Sequence, residues 1–234
     1  MTTKPEPKKS GVRSSAFALV YEDADVIVVD KAAGVLTVPT PKRERVTLVD
    51  EVGRYLSRSP RITKAAVVVH RLDRETCGLV VFGKSQRAAD VLMQRWGAHE
   101  RHYAAIVAGT VVDDVGTIKS HLVTDQRSLD RRSSTDGRGE EAITHFKVEG
   151  RVDGATLLDV VLETGRRNQI RVHLAERRHP ILGDDRYGGL GRHRRWNDRE
   201  LALCARTLAF PHPRTDAPLR FELPLPPSFR RFLG

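Results

Sequence analysis

A dense group of ionisable side chains, His70-Arg71-Leu72-Asp73-Arg74-Glu75, follows Val67–Val69 and precedes the apolar stretch Gly78–Lys84. An ionisable cluster between two buried strands is where a scaffold commonly displays reactive groups on a rigid base. Side chains alternate in extended backbone, so Arg71 and Asp73 share a side. Positive charge on both flanks favours the anion, so Asp73 is expected to be ionised at neutral pH, a standing nucleophile or base rather than an acid. A salt-bridged turn is the other reading of the same residues. Two other chemistries fail on context. The kinase loop that shares His-Arg-x-Asp needs a glycine-rich loop, a downstream Asp-Phe-Gly and a metal-binding Asn, and the chain has none of them. Glycoside hydrolysis needs a second carboxylate across the site, and Glu75 is too near in sequence for that role.

A second cluster lies in ETGRRNQIRVHLAERRHPILGDDRYGG. Gly165 permits a turn after a strand, and the spacing predicts a helix over Asn168–Arg177, with Ile170 and Leu174 on one face and Arg171 and Arg178 on another. The helix N-terminus, with Arg166 and Arg167 beside it, suits a phosphate or a carboxylate. An ion pair between Arg171 and Asp73 would fix the carboxylate through paired hydrogen bonds. Surface arginines on a basic helix are the alternative, and the residues alone leave both open. His173 and His179 have no acidic or Cys partner at metal spacing, so they read as structural or RNA-contacting groups, and no metal site is expected.

The elements that must position these clusters are mostly strands. Short stretches rich in Val, Ile and Leu predict strands at Phe17–Tyr21, Val26–Lys31, Gly78–Lys84, His102–Val107, Ala142–Val148, Leu157–Glu163, Leu201–Phe210 and Leu219–Leu223. Helical spacing marks Thr47–Ser57 and Ser85–Trp96, the latter with Ser85 as N-cap. Many strands with few helices predict an α+β fold on a mixed, mostly antiparallel sheet flanked by helices and loops. Residues 1–14 read as a disordered basic tail and 15–234 as a single catalytic domain. Two loops are expected, at Gln126–Gly139 and at Tyr187–Arg199. The second carries Trp196, either stacking on a base or anchoring the loop.

The chain has 234 residues, with 40 Lys plus Arg against 30 Asp plus Glu and a formal charge of +10. Such a field attracts polyanions, a nucleic acid first among them. Only Cys77 and Cys204 are present, so neither a disulfide framework nor a four-ligand zinc site is expected. No apolar run is long enough to span a bilayer, and the N-terminus lacks a signal-peptide core, so a cytoplasmic protein without membrane attachment is expected.

Taken together, the two clusters resemble the RluA-type family of RNA pseudouridine synthases. The resemblance runs from about Phe17 to Phe229 and includes VIVVDKAAGVLTVP, VVHRLDRETCGLVVFGKS, RHYAAIVAG, TGRRNQIRVHLAERRHPILGDDRYG, LALCARTLAFPHP and LRFELPLP. It implies isomerisation of a uridine in ribosomal or transfer RNA after base flipping, with no cofactor, no nucleotide cofactor and no metal. It assigns Asp73 as the catalytic aspartate, Tyr103 as the tyrosine stacking on the target base and Arg171 as the aspartate's partner. Arg71 matches a position that helps hold the flipped-out RNA. Arg74, Arg166, Arg167 and Asn168 are the further candidate RNA contacts. Asn168 stands where His is usual, Cys77 where Ser is, Ala32 where Pro is and Cys204 where His is. None of these departures removes a charged catalytic group. Many relatives carry a small RNA-binding domain ahead of the catalytic one; its absence here leads to the expectation that the catalytic domain finds RNA alone, as a monomer. A catalytically inactive RNA-binding or chaperone protein that keeps the fold is the alternative.

Overall fold

The computed structural model describes residues 13–40, 46–57, 66–126, 128, 130–188, 193–197 and 200–234. The first twelve residues of the expected tail, and parts of both expected loops, lie outside them. In chain order the elements are β1 (Phe17–Glu22), β2 (Val26–Lys31), α1 (Leu48–Ser57), β3 (Val67–Val68), β4 (Cys77–Gly83), α2 (Gln86–Gln94), β5 (Glu100–Ala108), β6 (Val115–Thr124), β7 (Arg131–Ser133), β8 (Glu140–Val152), β9 (Ala155–Leu162), α3 (Gln169–Glu176), β10 (Leu203–Pro211), β11 (Pro218–Glu222) and α4 (Pro227–Leu233). The α+β expectation holds, with antiparallel strand pairing in each of two compact units.

The first unit comprises residues up to Glu100 together with Thr207–Leu223. In it β2 pairs with β1 on one side and β4 on the other, β3 adds to β4, and the end of β10 forms a hairpin with β11. The core follows from the apolar runs: Val26, Val28, Leu79 and Val81 pack with Leu92 of α2 and with Leu208, Phe210 and Phe221. Ser85 caps α2 as expected, its Oγ accepting from Ala88 N. Gly83 is required where α2 starts, because a Cβ there would lie 2.7 Å from Ala89 N.

The second unit comprises Arg101–Arg206 and Pro224–Gly234. Its strands run in the order β5-β9-β8-β6-β7. Two of them correct the expectations. β6 was not legible because only Ile118 and Leu122 of its ten residues are buried, four apart. β7 falls inside the expected loop Gln126–Gly139. It is held by buried Arg131, whose guanidinium donates to Thr124 Oγ1 (3.1 Å), Leu122 O (3.1 Å) and Glu140 Oε2 (2.6 Å). The base-stacking reading of Trp196 is also corrected. The residue is 7% exposed, its Nε1 donates to Glu200 O at 2.7 Å, and its ring meets Phe229 and Phe232 edge-on. It is therefore a loop anchor.

The same carbonyl lies against Gly183, which has φ +71°; a Cβ there would stand 1.9 Å from Glu200 O. Gly183→Ala combines a left-handed backbone with a backbone clash, so unfolding free energy is expected to fall by about 2–4 kcal/mol. Denaturant titration measures this, and a loss below about 1 kcal/mol would show that the segment yields without cost.

Candidate active site

Within the first unit, Asp73 sits half-buried on the loop between β3 and β4, with Arg71 and Arg74 exposed on either side. The loop has little regular structure of its own, and the segment after β2 holds it. Thr37 grips Leu72 at both ends, its hydroxyl donating to Leu72 O at 2.7 Å and accepting Leu72 N at 3.1 Å. Arg74 O accepts both Gly34 N at 2.8 Å and the Lys31 ammonium at 3.0 Å. On the approach side, His70 Nε2 accepts Val81 N at 3.1 Å and its ring stacks on Trp96 at 4.3 Å. A short turn, Thr76 N to Asp73 O, leads into Gly78, whose φ of +114° starts β4.

Lys31 has no exposed surface, and its Nζ donates to Ala32 O (2.9 Å), Val35 O (2.7 Å) and Arg74 O (3.0 Å). Burial pushes its pKa down to about 8, opposed by the negative charge of Cys77, Glu75, Asp73 and Asp30. Sequence reasoning gave Lys31 no role. The available signal was a lysine two residues beyond the wholly apolar run Val26–Val29.

Within the second unit, Tyr103 is a buried residue of β5, opposite Val160 of β9. Two residues earlier on the same face, Arg101 is 6% exposed and donates to Leu162 O at 3.2 Å. Burial lowers its pKa, and the neighbouring Tyr103 opposes that. Arg101 is a second residue that the sequence reading passed over.

Helix α3 begins one residue after Asn168, close to expectation, but the two-faced reading of it fails. Every residue from Gln169 to Leu174 is buried, the polar ones included. Each polar group is matched instead. Gln169 Nε2 donates to Ile143 O and Thr144 Oγ1, and its Oε1 accepts Thr164 Oγ1 and Arg166 N. His173 lies between Thr144 Oγ1 and Ser120 Oγ, both at 2.9 Å, and burial lowers its pKa. His179 contacts Ala108 O at 3.0 Å, so both histidines are structural. Arg171 forms a two-point pair with Asp184, whose side chain has no exposure: Nε to Oδ2 at 2.8 Å and Nη2 to Oδ1 at 2.7 Å. The sequence analysis missed Asp184, thirteen residues from its partner.

Of the expected RNA contacts, Arg166 and Arg167 are exposed ahead of α3, with Arg166 bonded to Glu141 O. Asn168 is buried, holds a left-handed φ of +55° and donates from Nδ2 to the Tyr187 hydroxyl. One acidic–histidine group elsewhere, Asp23, Asp25 and His212, has ligand atoms within metal-binding distance. Tyr21 and Arg214 already bond to its carboxylates, and it reads as a hydrogen-bonded network.

A family profile described as RNA pseudouridylate synthase matches residues 25–176. The chain belongs to that family. Among its relatives, the RNA pseudouridine synthase YlyB of Bacillus subtilis (strain 168) is 37% identical over 232 residues, covering 96% of this chain and 75% of its own. Ribosomal large subunit pseudouridine synthase D of Xanthomonas campestris is 35% identical over 232 residues, covering 92% of this chain and 68% of its own. The fold is that of human RNA pseudouridylate synthase domain containing 4, with a TM-score of 0.77 at 20% identity over 92% of this chain and 91% of that one. The protein is thus an RNA pseudouridine synthase, an isomerase acting on RNA, as the resemblance implied. No described helix is long and apolar enough to cross a membrane.

Lys31→Met takes the ammonium from three carbonyl oxygens, of which Arg74 O keeps Gly34 N, and unfolding free energy is expected to drop by on the order of 3 kcal/mol at neutral pH. Folded Lys31 releases its proton near 8, whereas the ordinary lysine value of 10.5 describes the unfolded chain. Between those pH values the unfolded state binds more protons, so wild-type stability gains with rising pH, and the Met variant lacks that gain. Denaturant unfolding across this range measures the difference between the two proteins. A difference that stays flat would show that burial does not set the charge of Lys31.

Proposed function

We propose that this synthase isomerises a specific uridine of ribosomal or transfer RNA, with Asp73 as the reacting carboxylate after the nucleotide is flipped out. The observation that carries this reading is the pinned loop: a half-buried Asp73 between two exposed arginines, with its neighbours Leu72 and Arg74 each held twice by the segment 31–37. A group that must meet one carbon or one proton gains rate from being held in place, since misplacement by about 1 Å is worth roughly a hundredfold.

The chemistry breaks the glycosidic bond, turns the base and rejoins it through C5. No atom is gained or lost, so the reaction itself calls for no redox partner. Asp73 acts as a nucleophile or as the base that removes a sugar proton; both need an ionised carboxylate within hydrogen-bond reach. Flipping the nucleotide costs a few kcal/mol, and stacking on Tyr103 would return about 1–3 kcal/mol of it. Arg171 is proposed as the partner that orients Asp73. Arg71, Arg74, Arg166 and Arg167 would contact phosphates, with Asn168 shaping the turn ahead of α3. The net charge of +10 supports an RNA affinity that falls steeply with salt. The ribosomal target is favoured by the name of the Xanthomonas relative.

Tritium release from transcripts of large-subunit ribosomal RNA and of transfer RNA, labelled at uridine C5, tests the reading. Wild type is expected to release label from one of the two pools, and Asp73→Asn to bind RNA normally while release falls by at least a thousandfold. Near-wild-type release by Asp73→Asn would remove the carboxylate from the mechanism. Arg171→Lys keeps the charge and loses the planar fork, so its turnover is expected to fall by about a hundredfold or more. Full turnover in that variant would refute the orienting role.

A further inference from the structure

A single turn grips the Arg171 guanidinium on two sides. Asp184 takes its edge through the two bonds described above. The same Oδ1 also accepts the backbone N–H groups of Arg186 (3.0 Å) and Tyr187 (2.9 Å), which folds the turn back on the arginine. Gly188 makes this closure possible, because a Cβ there would stand 1.8 Å from Asp184 O. Closure brings the Tyr187 ring against the guanidinium, with Arg171 Cζ 5.4 Å from its centroid. The Tyr187 hydroxyl then accepts two donors from other elements, Arg131 N of β7 and Asn168 Nδ2, each at 3.0 Å.

A planar group held only along its edge can still rock about that edge; a ring against its face opposes the rocking and adds a cation–π attraction. Besides facing the guanidinium, Tyr187 packs against the apolar cluster of Leu122, Ala142 and Val172, which come from three different elements. We propose that Tyr187 is a positioning residue for the isomerisation: its ring sets the tilt of the Arg171 guanidinium, and its hydroxyl ties that tilt to β7 and to Asn168. This rests on the orienting role proposed for Arg171.

Two variants separate the parts of the assignment. Tyr187→Phe keeps the ring and breaks the hydroxyl tie; Tyr187→Leu removes the ring. Single-turnover tritium release on the labelled transcripts is expected to slow about threefold for Phe and at least thirtyfold for Leu. Filter-binding Kd for the same RNA should stay within twofold in both. Equal rates for Leu and Phe, or a loss expressed through Kd instead of rate, would overturn the proposal, because a packing role predicts either. The 15N resonance of Arg171 Nε–H provides a readout that needs neither turnover nor the Leu variant. It should exchange slowly with solvent in wild type and faster in Tyr187→Phe, and an identical rate in the two would overturn the hydroxyl tie. A wild-type chain that released no tritium would sink the proposed reaction, and the resonance comparison would still decide the clamp.

Discussion

A lysine ammonium with no water around it is an expensive thing to build into a fold, and much of the first unit is arranged to keep one. Burying such an ion costs several kcal/mol even after relaxation. Lys31 offsets this by spending its three donors on three carbonyl oxygens, Ala32, Val35 and Arg74. Two of those oxygens belong to the segment that follows β2, and the third to the loop that carries Asp73. The charge therefore joins two stretches of chain 43 residues apart that have few regular hydrogen bonds of their own. Thr37 repeats the arrangement six residues on, with a single hydroxyl serving both backbone groups of Leu72. On the proposed function, the reacting carboxylate thus sits on a loop whose two neighbouring residues are pinned by the segment 31–37.

The second unit meets the same problem with different groups. Helix α3 is buried on every side although Gln169, Arg171 and His173 lie in it. Each polar group reaches a partner supplied by a different element: Thr144 of β8, Ser120 of β6, and Asp184 of the turn after the helix. Removing one partner from such a set leaves a buried group uncompensated, which costs more than the bond itself contributed. These residues are thus constrained together, which explains how Asn168, Gln169, Arg171 and His173 can be polar in a stretch, Asn168–Leu174, that is buried throughout.

These two arrangements also explain what could be read from the sequence. β2 was legible to the residue, because Val26–Lys31 is an apolar run bounded by turn residues, and the Ser85 cap was legible because capping is local chemistry. Asp73 and the α3 segment stood out by composition and spacing. Lys31, Thr37 and Asp184 did not, since each acts on a residue far away in the chain and its own neighbours do not name that partner. β6 and β7 were hidden for a related reason. They are held by β8 and by the bonds of Arg131; β6 alternates in burial, but Gly116 and Ser120 take two of its inward positions, so no apolar alternation marks it in the sequence. Trp196 was ambiguous from sequence because a glycine- and arginine-rich loop reads as exposed; its partners, Phe229 and Phe232, lie more than thirty residues on.

The positive charge of the chain is divided between its interior and its surface. The chain carries ten more positive than negative side chains, yet several of its arginines and its most buried lysine are occupied inside the protein: Arg101, Arg131, Arg171 and Lys31 all have less than a tenth of their surface exposed. Those buried cations organise loops, and they add little to a counterion-releasing surface, which requires phosphates to come within contact distance. Under the proposed function, attraction of RNA falls to the exposed set, among them Arg71 and Arg74 beside Asp73 and Arg166 and Arg167 ahead of α3. The same residue type thus has two separate tasks in this synthase. Substituting an exposed arginine should change how RNA binding depends on salt, whereas substituting a buried one should change the geometry of the loop or helix it holds.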